Sequence, residues 1–176
     1  MTNAESLNLI TAIGAAVATA LAGLAAFRSA RSADLAQKAL IAEQLRAGRR
    51  EVATLASACS YEFRRIHFLA HTLNVIDQAN ATFTGGFEGS HHLLVKNGVS
   101  NRVSKAEELF KSASPFCDNP IVISKLVQED IDRLQITMTI DLAALRAVSD
   151  ELDRDSSSRE TQMLQYREQA ITGGAK

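Results

Sequence analysis

A chain of 176 residues with 19 Lys and Arg against 20 Asp and Glu carries a formal charge of −1, so it lacks the clustered basic excess that nucleic-acid phosphates require. Two cysteines, Cys59 and Cys117, are too few and too far apart to form a disulfide framework. Two prolines, no tryptophan and abundant Ala, Leu, Ser and Arg favour helices over sheet, so the expected fold class is all-α.

After a short tail, residues 1–6, the stretch from Leu7 to Phe27 holds no ionisable side chain. As a helix at ~1.5 Å per residue it measures roughly 31 Å, the thickness of a bilayer's hydrocarbon core. It reads as a single transmembrane helix. A cleaved signal peptide fits less well, because the preceding residues carry Glu5 and no Lys or Arg. Arg28, Arg31 and Lys38 follow the span, so the expected location is the inner (cytoplasmic) membrane, with the N-terminus outside and the C-terminal body cytoplasmic. Ala12, Ala16 and Ala20 form one row of small residues in the span, and Ala15, Thr19 and Gly23 another. Such rows permit close helix packing in lipid.

The body, residues 28–155, reads as a helical bundle. Two seven-residue repeats run from Ile41 to Phe83: Leu45, Val52, Cys59, Ile66, Leu73 and Asn80 on one line, and Ile41, Gly48, Leu55, Glu62, Leu69, Ile76 and Phe83 on the other. This is a coiled-coil-like seam. With no proline before Pro115, the span is expected to continue into a long helix over about 28–83. The glycines at 85, 86 and 89 then end it. Ser90 opens a short turn that Asn97-Gly98 closes, and a short helix is expected over about 100–113, with Ser104 and Glu107 at capping-box spacing and Val103, Ala106, Phe110 and Ala113 on one face.

A second long helix is expected over about 121–153, with Ile131, Met138, Leu145 and Leu152 on one seam line and Val127, Leu134, Asp141 and Val148 on the other. Ser157 and Glu160 then suggest a fresh cap, so residues 156–176 read as a weak helix and frayed tail. Two seamed helices joined by a turn-rich segment pack most simply antiparallel, in a three- or four-helix bundle. Aligning Phe83 with Ile121 brings Glu62 level with Asp141, and sets Asp150, Glu151, Asp153 and Asp155 beside Arg46, Arg49 and Arg50.

Few residues suggest chemistry. Glu62 and Asp141 are carboxylates on apolar seams, which need a cation, a proton or a hydrogen bond. His67 and His71 have the i, i+4 spacing of a metal pair, but the glutamate of a zincin motif is replaced by Phe68, and the seam frame turns both towards solvent. His91 and His92 fall in the connection. No phosphate loop, nucleophile elbow or dinucleotide fingerprint occurs, so neither an enzyme nor a cofactor is expected. Tyr61, Phe68 and Val75, seven apart, form a second stripe on the far side of the first helix, and Ile136, Ile140, Ala143 and Ala147 form one on the second. These stripes need cover from the short helices or from another subunit.

The sequence therefore implies a membrane-tethered scaffold or adaptor working through self-association and contact with a protein partner. The competing reading is a membrane effector or signalling component whose assembled spans perturb the membrane or signal across it.

Overall fold

A computed structural model of the chain describes residues 3–84 and 90–173. The helices are α1 (Asn3–Thr84), α2 (Ser90–Phe110), α3 (Pro120–Ser124) and α4 (Gln128–Gly173), with a 3-10 turn at Ser114–Phe116 between α2 and α3. No strand occurs among the described residues. The chain divides into two compact units, Met1–Arg46 and Ala47–Lys176.

In the first unit, every side chain from Gly14 to Gln44 is exposed. Val17, Leu21, Leu24 and Phe27 are among them. Among the described residues no helix is long and apolar enough to cross a membrane. The expected span begins in residues 7–10, 12 and 13, whose side chains, Ala12 included, lie outside the described ones.

The second unit is a three-helix bundle. One seam line of α1 is buried as the repeat requires: Val52, Cys59, Ile66 and Leu73 are all excluded from solvent. So is its counterpart on α4, Ile131, Met138, Leu145 and Leu152. Fully burying a side chain of this size contributes roughly 1.5–3 kcal/mol, so these two lines dominate the core.

The direction of packing corrects the expectation. Contacts between the helices advance together: Cβ space at Gly48 meets Ile131, Glu51 accepts a hydrogen bond from Gln135 at 2.8 Å, Cys59 Sγ lies 3.8 Å from the Met138 carbonyl oxygen, Arg65 reaches Asp153 at 3.0 Å and Asp77 pairs with Arg159 at 3.6 Å. Helices α1 and α4 are parallel. The chain must therefore travel back between them, and α2 does this. From Gly48 to Thr84 helix α1 rises roughly 54 Å, and α2 returns about 31 Å of that. Residues 111–127 complete the return through the 3-10 turn and α3, where the Asn119 side chain caps α3 by accepting from the Val122 amide at 3.3 Å.

The Asn97-Gly98 pair does not end a turn, because α2 runs through it. Val99, Ala106 and Ala113, seven apart, are all buried, and Phe110 stacks on Phe63 with ring centroids 4.4 Å apart. That packing outweighs the ~1 kcal/mol that glycine costs a helix. The Ser104–Glu107 and Ser157–Glu160 spacings likewise fall inside helices rather than at their starts. Burial of Leu152 and Ser156, and the Asp77–Arg159 pair, carry α4 past residue 156. Phe83, used above to set an alignment, has its side chain outside the described ones, as do His91 and His92.

Gly48 marks the base of the seam, where a Cβ would stand 2.7 Å from Ile131 Cγ2. Ile131 is fully buried and has no room to retreat. Alanine would gain about 1 kcal/mol of helix propensity, but overpacking a close contact costs typically 1–3 kcal/mol. Gly48→Ala is expected to lower the thermal midpoint by a few degrees, read by circular dichroism; a higher midpoint would mean that the helices do not approach so closely there.

Candidate functional site

The carboxylates expected to face each other are separated. Glu62 is buried on α1, and its Oε2 accepts from the Ser149 hydroxyl of α4 at 3.0 Å. Arg65, one turn along, stands 3.6 Å from the same oxygen, and Arg146 stands 3.9 Å from Oε1. Arg65 also donates to Ser149 at 3.3 Å and pairs with Asp150 and Asp153. Asp141 is half-buried elsewhere, where it accepts a hydrogen bond from Ser112. Parallel packing is the cause, because it sets Glu62 near Ser149 instead of near Asp141. The acidic run of α4 accordingly meets Arg65 and, on α2, Arg102, which pairs with Glu151 and Asp155. It does not meet the arginines expected: Arg46 pairs with Glu43, and Arg49 donates twice to the Leu126 carbonyl, at 2.7 and 3.1 Å.

This polar layer locks α1 to α4 in one register. A carboxylate left alone at that depth costs several kcal/mol, whereas Arg65 itself is one-third exposed and its share is partly screened.

His67 and His71 are both exposed, as the seam frame has them, and they line an open groove of about 470 Å³ between α1 and α2 with Lys96, Ser100 and Glu107 on its other side. The His67 ring meets Phe63 edge-on at 4.6 Å. Among the described residues, no group of three or more His, Cys, Asp or Glu side chains is placed to hold a metal ion. Both thiols are held protonated. Burial, with the Asp141 charge adding to it, pushes Cys59 from 9.0 up to about 11. Cys117 is half-buried, with its sulfur 3.4 Å from the carbonyl oxygens of Ala56 and Ala113. Burial and then Asp118 raise its pKa also. Neither cysteine is a prepared nucleophile.

The second stripes remain uncovered. Tyr61 and Phe68 are each 68% exposed and Val75 50%, while on α4 Ile136 and Ile140 are 66% and 63% exposed. Helix α2 packs on the inner sides of α1 and α4 and covers neither stripe. In the first unit, Ala15, Ala16, Thr19, Ala20 and Gly23 are exposed, and a Cβ on Gly23 would meet nothing within 4 Å. Thr19 turns its hydroxyl inward to the Ala15 carbonyl at 2.8 Å. A second groove of about 450 Å³ between α2 and α4 has Leu73 and Val99 on its floor and Arg102, Asp155 and Arg159 on its rim. Both of its arginines already hold carboxylates.

No family model, curated protein or solved structure matches the chain.

Arg65→Ala is expected to cost about 1–3 kcal/mol in urea unfolding, because Glu62 then stays buried with the Ser149 hydroxyl and, as its one cation, the more distant Arg146. Asp150→Ala, which removes a mostly exposed partner of the same arginine, should change stability by less than about 0.5 kcal/mol. Equal losses for the two variants would contradict the assignment of Glu62 as the group that needs Arg65.

Proposed function

We propose that the chain is a membrane-tethered helical-bundle scaffold that works by protein contact, with self-association as its core activity. The observation that carries this reading is the pair of apolar stripes left in water by a bundle that has already formed its core. Contiguous exposed apolar surface on a folded domain marks an interaction face. The tether is Leu7 to Phe27, passing once through the inner membrane with the N-terminus outside and the bundle in the cytoplasm. Its support is the uncharged sequence, the exposure of Val17, Leu21, Leu24 and Phe27 on a helix without cover, and the arginines that follow.

A second reading has its own supporting observation, the exposed row of Ala15, Thr19 and Gly23. If copies of the span close on one another through that row, the protein is a membrane effector. Membrane conductance that changes on expression and reverts with Gly23→Leu would favour it.

The tether is tested by expressing the full chain and washing membranes at alkaline pH. Wild type is expected to stay with the membrane, whereas the pair Val17→Arg and Leu21→Arg should release most of it, an Arg at a span's centre costing about 2.5–3.5 kcal/mol. Wild type that washes off entirely would contradict the proposal.

A further inference from the structure

The two outer stripes lie on different helices of one bundle, and their central parts match in size and their lower ends in charge. On α1 the stripe is a ridge of large side chains, Tyr61, Phe68 and Val75, all at least half exposed. On α4 the face steps down from the exposed Ile136 and Ile140 to the small side chains of Ala143 and Ala147, which leave a shallow trough above Ile140. Large-on-small contact between helices lets ridges enter grooves at close approach. Among the described residues, Arg50 on the α1 face has no carboxylate within ion-pairing distance, and Glu129 on the α4 face has no cation within it.

We infer that a second copy of this chain docks its α4 trough on the α1 ridge of the first, with the helices parallel. One sequence offset seats Tyr61 beside Ile140, Phe68 beside Ala147 and Arg50 beside Glu129 at once. Asp132 then lies within a turn of Arg50 as well. Inside one bundle Gly48 meets Ile131 and Cys59 meets Met138, so the offset between copies stays within about a helical turn of the internal one, roughly 6 Å. Copies so docked stand nearly level. That matches chains tethered in one membrane plane, and to this extent the inference rests on the function proposed above.

Ridge and trough point outward from two different helices, so no copy can satisfy itself. The contact is heterologous. Each added copy presents a new ridge at one end and a new trough at the other, which gives a row or a closed ring of bundles in place of a two-fold dimer.

The test uses the full chain in detergent, with assembly size read by sedimentation. Phe68→Glu removes the ridge and Ala147→Glu the trough, each at an exposed position, and circular dichroism checks that both variants keep the wild-type helix content. Each variant alone is expected to sediment as a smaller species than the wild type. Mixed in equal amounts, they should form a species that joins one of each through the intact ridge of one and the intact trough of the other, without the wild type's further growth. A mixture no larger than its components would overturn the inference, since a two-fold contact is not restored by mixing. Variants that each sediment like the wild type would also overturn it, while leaving self-association through the span, and so the scaffold itself, intact.

Discussion

The structure depends on one constraint: two helices of the same chain are packed parallel along fully buried heptad lines. Parallel neighbours cannot be joined by a short turn, so the chain spends α2 and the irregular stretch after it on returning to the base of the bundle. The return leg becomes the third wall of the core. Its Val99, Ala106 and Ala113 are buried because α2 must lie in the cleft that α1 and α4 leave open, and Phe110 finds Phe63 for the same reason. The ion pairs follow from the same geometry. Glu62 meets Ser149 and Arg65, and the acidic run of α4 is shared between Arg65 on one flank and Arg102 on the other.

Much of this was legible in the sequence, but not its direction. The line Val52, Cys59, Ile66, Leu73 and the line Ile131, Met138, Leu145, Leu152 mark core positions, because a seven-residue apolar period states which face is buried. A period is the same read forwards or backwards. The charge pattern did not resolve the ambiguity, because α1 has arginines at both candidate levels, Arg65 for parallel packing and Arg46, Arg49 and Arg50 for antiparallel. The decisive signal was Val99 and Ala106, seven apart within residues 90–110, with Ala113 continuing the line just beyond the end of the return helix. Asn97-Gly98 obscured it, as a local break signal that tertiary burial overrides. Ser104 and Ser157 misled in the same way, since capping-box spacing is satisfied by chance inside helices whose faces are held by packing.

Of the candidate site residues, Glu62 was legible as a buried charge needing a partner, and Arg65 as a cation near enough to supply it. Asp141 was misplaced only because its helix ran the other way. The second stripes were legible as surfaces without internal partners, and the folded bundle leaves them so. Their residue types were legible too, Tyr61, Phe68 and Val75 against Ile136, Ile140, Ala143 and Ala147. What the sequence could not convey is that the core claims the opposite faces of both helices and leaves both stripes exposed.

Parallel packing is tested most directly by distances between spin labels on the full chain, with Cys59 and Cys117 replaced by alanine. Labels at Thr54 and Thr137 should be close, and labels at Thr54 and Ser157 should be farther apart by an axial rise of roughly 30 Å. A Thr54–Ser157 distance shorter than the Thr54–Thr137 distance would mean that α1 and α4 are antiparallel, and the account of the core, its ion pairs and its outer faces would fall together.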